Sequence, residues 1–309
     1  MKFLKRMELK NAKVDFQATG WVVEKDRPAR FGALSRWFVN RVEGFGKNVD
    51  SILEHAYQKG ENRVMVLTDY YQPKFQRVVN DNSVTALERV GVGVHDDYKD
   101  TFTGFTKNGG RSWLYLVRGK EYFCREGHVL AVGTPTSLPA ERSWYRHGPK
   151  LEDVLKFEKD QDAILIPSHP LSKFGFGVKA ILLAIGEPSG TNLGLQEDTI
   201  RKYADYFDAL EAYSLSMDSK QTKRVQELAR ELKLSTVSNT DADLRSSFST
   251  YNTFDLVDLT NPQKFRDSIR AGLKGEGNKH VEHRGEFVKS LRDKITHILL
   301  NVAQSRKYF

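Results

Sequence analysis

One cysteine, Cys124, is present in 309 residues. An internal disulfide is therefore excluded, and a reducing, cytoplasmic setting is expected. A lone thiol also gives cysteine catalysis little ground, because a reactive thiolate needs an electropositive setting and a partner base. Only Arg125 stands beside it, so Cys124 reads as a small apolar residue on a strand. No run approaches the roughly eighteen apolar residues that a membrane-spanning helix needs. The opening MKFLKRMELK is broken by charge too early for a secretory leader. A membrane partner is not expected. The glycine-rich stretch Gly186 to Gly194 lacks both the Gly-Lys-Ser/Thr of a P-loop and the spacing of a dinucleotide fingerprint. It reads as a loop at the mouth of the fold. No Gly-x-Ser-x-Gly elbow offers a serine hydrolase its nucleophile, and there is no internal repeat or low-complexity segment.

What is present is a 39% apolar content, enough for a sizeable core, and a net charge of +8. The positive balance favours an anionic substrate or partner. It is densest from Leu273 to Phe309, where eight Lys and Arg face four Asp and Glu. That density leaves nucleic acid open as a partner, although a solvated helix face produces the same pattern. The oligomeric state is not written in the sequence.

Periodicity divides the chain into strands and helices. Val14 to Ala18 reads as the first strand, followed by helices over Leu34 to Val42 and Val49 to Lys59 and a strand over Arg63 to Leu67. From Tyr70 to Arg118 the pattern loosens into a hairpin-bearing insertion rich in aromatics. Two apolar runs, Trp113 to Val117 and Val129 to Val132, then flank the turn Arg125-Glu126-Gly127. Beyond it, alternation becomes regular: helix Leu151 to Phe157, strand Ala163 to Pro167, helix Gln196 to Tyr206, strand Ala209 to Tyr213, helix Ser219 to Leu232 and strand Ser235 to Ser238. A helix over Pro262 to Ala271 is expected to stop at Gly272, and a last one spans about 287–303. Alternating strands and helices point to a parallel sheet or barrel.

The polar residues that follow apolar strands are Asp69, Glu121, His128, His169, Glu211, Asp241 and Asp243. At the carboxyl face of a parallel sheet such groups meet although far apart in sequence. Two imidazoles and a carboxylate with an open position form the ligand set of a catalytic divalent metal, which acidifies water and polarises a substrate oxygen. Glu121, His128 and His169 supply that set. Asp241 and Asp243 add hard oxygens for a second cation or for orienting ligands.

In order, Val14 to Thr19, Val66-Leu67-Thr68-Asp69-Tyr70, Gly119-Lys120-Glu121, Gly127-His128-Val129-Leu130, Ser168-His169-Pro170, Leu210-Glu211-Ala212-Tyr213 and Thr240-Asp241-Ala242-Asp243 resemble the motifs of the PHP (polymerase and histidinol phosphatase) superfamily of metal-dependent phosphoesterases. The resemblance runs from about Val14 to Gly272. It implies a distorted (β/α)7 TIM-like barrel over 1–272, with 70–118 inserted after the second strand and a basic helical extension over 273–309. It also implies up to three metals. Gln17 and Thr19 replace the opening histidine pair, Tyr70 the second-motif histidine and Asp243 the last one. What remains is one shell for a divalent ion (Mn, Zn or Fe), or two if Asp241, Asp243 and Gln17 rebuild an oxygen-rich site. Glu121 and Asp241 are then the expected catalytic groups, with Arg245 neutralising a phosphate. Two functions follow: a phosphoesterase with a reduced metal site, or an inactive barrel binding nucleic acid or protein.

Overall fold

β-branched and aromatic residues at every second position, as in Val64-Met65-Val66 and Tyr115-Leu116-Val117, suit a pleated backbone with buried faces, and both segments are strands. The structure, a computed structural model, describes residues 8–18, 62–68, 88–90, 102–106, 113–134, 149–173, 194–214, 217–239, 251–275 and 279–281. In chain order the elements are β1 (Glu8–Ala18), β2 (Arg63–Leu67), β3 (Glu88–Val90), β4 (Phe102–Thr106), β5 (Trp113–Cys124), β6 (Gly127–Val132), α1 (Leu151–Asp160) and β7 (Ile164–Pro167). They continue as α2 (Glu197–Lys202), β8 (Ala209–Tyr213), α3 (Ser219–Leu232), β9 (Ser235–Ser238), β10 (Tyr251–Asp258), α4 (Pro262–Lys274) and β11 (Lys279–Val281).

The expected (β/α)7 barrel is not what forms. Among the described residues, six of the nine strand pairings are antiparallel and three are parallel, namely β1 with β2, β2 with β5, and β8 with β9. The result is a mixed sheet curled into a half-barrel, with four α-helices among the described residues. The physical reason lies in the connections. Only Arg125 and Glu126 separate β5 from β6, and a parallel crossover needs a dozen residues or more, so this pair can only be a hairpin. Within 70–118, β3 and β4 pair antiparallel and join the edge of β5, extending the same sheet. Lys279–Val281 adds a strand at the opposite edge, and the helix expected over about 287–303 lies outside the described residues, as do those over Leu34 to Val42 and Val49 to Lys59.

β5 is long because it serves two partnerships. Trp113 to Arg118 runs between β2 and β4, and Gly119 to Cys124 pairs with β6. Its inner face continues a core of Val64, Val66, Val117, Leu130, Val132, Ile164 and Ile166, to which Phe265, Ile269 and Leu273 of α4 contribute. A second core, with Tyr122, Val129, Leu165 and Leu210, packs under α1 and α3. The β5–β6 turn is tied to α1, because Glu126 accepts the Leu151 backbone N–H at 3.0 Å and so satisfies a donor at the helix start.

Side chains join what backbone ladders leave open. Asn252 donates to the carbonyls of Val14 and Ser238 at 3.1 and 2.7 Å, and Asn239 accepts the Phe16 N–H at 3.3 Å, so two amides stitch β9 to β1. β8 is tied to β7 through Asp208, which donates its N–H to Leu165 and accepts the Leu165 N–H at 3.0 Å. At the end of β7 where the chain enters it, Arg270 binds Asp162, Asp208 and the Asp162 and Ala163 carbonyls, while Arg266 reaches Asp162 and Gly133.

Candidate metal centre

Glu121 lies on the half of β5 that has passed the end of β2, where its N–H still donates to the Thr68 carbonyl at 3.4 Å. It shares the inner face with Val117. The hairpin register places His128, the second residue of β6, within reach of the same face. His169 arrives from the end of β7, just past Pro167. Three positions separated by up to 48 residues thus converge.

Nδ1 of His128 stands 3.0 Å from Glu121 Oε1, Nε2 of His169 stands 3.2 Å from the same oxygen, and the two nitrogens are 3.3 Å apart. The imidazoles meet edge to face, at 69°. Glu121 is 1% exposed, His128 5% and His169 3%. Burial pushes the Glu121 carboxyl upward, but the hydrogen bonds and charges of His128 and His169 outweigh it and hold the group well below the usual carboxylate range. Glu121 is therefore an ionised carboxylate out of solvent, with two imidazole nitrogens on one of its oxygens.

This triangle fits a metal ion. Around an ion with bonds of about 2.1 Å, neighbouring ligand atoms stand roughly 3.0 Å apart in octahedral and 3.4 Å in tetrahedral coordination. The three observed separations, 3.0, 3.2 and 3.3 Å, span that interval and select neither geometry. The cluster could hold a metal ion; nothing in it specifies which one.

The supporting residues are equally specific. Glu211, buried on β8, accepts the His169 backbone N–H and the Ser168 hydroxyl. His169 has φ of +32° and Leu171 of +63°, both in the left-handed region. Gly194, the last glycine of the Gly186 to Gly194 stretch, forms an isolated bridge with His128 and packs so tightly that a Cβ there would overlap the His169 carbonyl oxygen. Gln221 closes a capping box with Asp218 at the start of α3 and donates to the Leu171 carbonyl at 3.1 Å.

Glu121, His128 and His169 are thus brought together as the sequence anticipates. Asp69, Thr19, Tyr70, Asp241, Asp243 and Arg245 lie outside the described residues; Gln17 is on β1, with its side chain undescribed. The supporting parts of Glu211, Gln221 and Gly194 were not read from sequence, although Asp218-Ser-Lys-Gln221 ahead of an apolar-faced helix is a capping-box signature. Cys124 is buried, and burial with the nearby Glu126 charge pushes its thiol well above the ordinary range, as suits a protonated core residue. Among the described residues, no helix is long and apolar enough to cross a membrane.

Fold and site together define a mixed α/β protein with a curled sheet and a buried Glu-His-His cluster able to take a metal ion. No family model matches the chain, and no curated protein matches it. Among solved structures, it is similar to PsfC from Pseudomonas syringae PB-5123, with a TM-score of 0.48 and 12% identity over 97% of this chain and 100% of that one. A likeness at that level defines neither fold nor function.

Proposed function

We propose that the chain is a metal-dependent phosphoesterase whose centre is reduced to the Glu121, His128 and His169 set. The single observation that carries this reading is the triangle of ligand atoms, all within 3.3 Å of one another around an ionised carboxylate. A divalent ion bound there supplies Lewis acidity toward a phosphoryl oxygen and acidifies water near neutral pH. Glu121 contributes the anionic ligand, and the two imidazoles bind as neutral donors through Nδ1 of His128 and Nε2 of His169. The low exposure of all three excludes bulk water from the ligands, which strengthens their electrostatic hold. A net charge of +8 favours an anionic substrate. Asp241, Asp243 and Arg245, directly after β9, remain the proposed source of further oxygen ligands and of phosphate neutralisation. Mn, Zn and Fe are the proposed ions, and the cytoplasm the proposed compartment.

The same burial favours a second reading, in which the ion is structural and the protein is an inactive binding module for nucleic acid or protein. Elemental analysis and activity separate the two. The unmutated protein is expected to carry or take up roughly one equivalent of divalent metal, and His169→Ala to lose it. Hydrolysis of a generic phosphodiester is expected to require metal and to fall by at least about a hundredfold in Glu121→Gln. Uptake below about a tenth of an equivalent sinks both the enzyme and the structural-ion readings. Uptake without any hydrolysis leaves the binding module, whose retention on DNA or RNA must weaken as salt rises.

A further inference from the structure

His169 reaches the cluster from a backbone conformation uncommon for residues other than glycine. Its φ of +32° lies in the left-handed region, which is unfavourable for an L-residue with a Cβ. Relaxation to an ordinary conformation would swing the imidazole away from Glu121, because the side chain follows its Cα. Something must therefore hold the main chain at this residue.

Several bonds fix this loop, among them Ser172 N–H to the His169 carbonyl at 3.2 Å and Leu171 N–H to the Leu195 carbonyl at 2.9 Å, and the acceptor at the His169 amide is Glu211. Gly194 makes room for the His169 carbonyl, and Gln221 holds Leu171 two residues on. Glu211 accepts the His169 N–H through Oε2, with the Ser168 hydroxyl 3.4 Å from the same oxygen. One carboxyl oxygen thus takes both donors, the backbone amide and the neighbouring hydroxyl. Its own position is fixed: Glu211 is the third residue of β8, completely buried, and β8 is tied to β7 at its start by the paired bonds of Asp208 and Leu165.

On the reading that Glu121, His128 and His169 bind a metal, we propose that Glu211 is a positioning residue for His169. It fixes the backbone pose from which Nε2 completes the ligand set. The requirement is one of reach, an acceptor oxygen at the His169 amide, rather than of negative charge. That distinction makes the proposal testable with two conservative substitutions. Glu211→Gln keeps the length and an acceptor oxygen but replaces the carboxyl with a neutral amide; Glu211→Asp keeps the carboxyl and withdraws its oxygen by one methylene.

The experiment titrates the full-length protein with Co²⁺, whose visible absorption reports both affinity and coordination geometry. It also follows thermal unfolding of each variant. Glu211→Asp is expected to weaken Co²⁺ binding about tenfold or more and to alter the spectrum, while Glu211→Gln stays within about threefold with its spectrum unchanged. Asp208→Asn, at the other end of β8, serves as the control for general loosening and is expected to lower the unfolding temperature without changing Co²⁺ affinity. Three results overturn the proposal: equal effects of the two Glu211 substitutions, the reverse order between them, or a loss in Asp208→Asn matching that of Glu211→Asp. A folded, unmutated protein that takes up no Co²⁺ removes the metal reading itself, and the proposal with it. Uptake by the unmutated protein with an indifferent Glu211→Asp removes the proposal alone.

Discussion

A buried carboxylate is destabilising unless its neighbours favour the ionised form; Glu121 meets that condition and Glu158 does not. At Glu121 two imidazoles overcome burial and keep the group ionised. At Glu158, on α1, the partners are neutral: Tyr122 donates its hydroxyl to one oxygen and Thr134 its hydroxyl to the other at 3.2 Å. Burial dominates there, and the pKa is raised above 4.5 despite those bonds and the charges of Arg118 and Lys120. The sign for stability follows. Below the unfolded value the group is protonated in both states, and folding incurs no ionisation cost. As pH rises from that value through the higher folded one, the unfolded chain releases its proton while the folded protein still holds it, and stability is lost. Glu158→Gln has the shape of the protonated acid, its oxygen accepting from one hydroxyl and its amide donating to the other, and is therefore expected to unfold at a higher temperature than the unmutated protein at neutral pH. The difference should close as pH falls toward 4.5, which thermal melts across a pH series would show. At this scale the sequence was informative: residue type and placement after strands picked out Glu121, His128 and His169. It gave no such signal for Glu158, whose apolar surroundings come from elements distant in sequence.

At the scale of the element, regular alternation was legible and its interruptions were not. Arg63–Leu67, Ala209–Tyr213, Ser219–Leu232 and Ser235–Ser238 form over the residues that their periodicity indicates. β1, by contrast, begins at Glu8 rather than Val14, because the buried set Leu9, Ala12, Val14 and Phe16 changes parity at Asn11, where φ is +50°. β10 carries the matching break, with Phe254 and Val257 buried three residues apart, and was missed for that reason. The paired strands turn together, each hiding the other's irregularity. α4 shows a second kind of error. Gly272 does not end it; the helix continues to Lys274 and ends at Gly275. Gly272 is small because the Phe254 ring lies where its Cβ would be, which sequence periodicity cannot reveal. Ile269, fully buried between that helix and the inner face, tests the packing. Ile269→Ala is expected to cost roughly 2–5 kcal/mol. Urea unfolding should show it as a lower midpoint with an unchanged slope.

For the molecule as a whole, the two ends of β7 have different duties. The arginines of α4 clamp the end near Asp162, and the candidate metal centre occupies the end near His169, with apolar layers between. A ligand that binds only the folded state stabilises all of it by mass action. A divalent ion at a hundred times its dissociation constant is expected to add about 2.7 kcal/mol. In a chain of this length that raises the unfolding temperature by several degrees. Chelator should reverse the shift, and Glu121→Gln should abolish it while still melting cooperatively. A shift of equal size in Glu121→Gln would place the ion elsewhere.

Sequence by itself determined that a turn falls at Arg125-Glu126-Gly127 between two apolar runs, which helices show an apolar face, and which three residues have the chemistry of a ligand set. These are local properties, fixed by residue type and spacing. It could not decide the sheet. Helices and strands in alternation suggested a closed parallel barrel, but strand direction depends on which distant segments find each other, and β10 on β1 is a pairing across more than two hundred residues. Tertiary structure alone decided that the sheet is a mixed half-barrel. It also decided that Glu121, His128 and His169 meet within hydrogen-bonding distance, and that a carboxylate from β8 holds His169 in place, because each of these depends on contacts between residues that the chain keeps far apart.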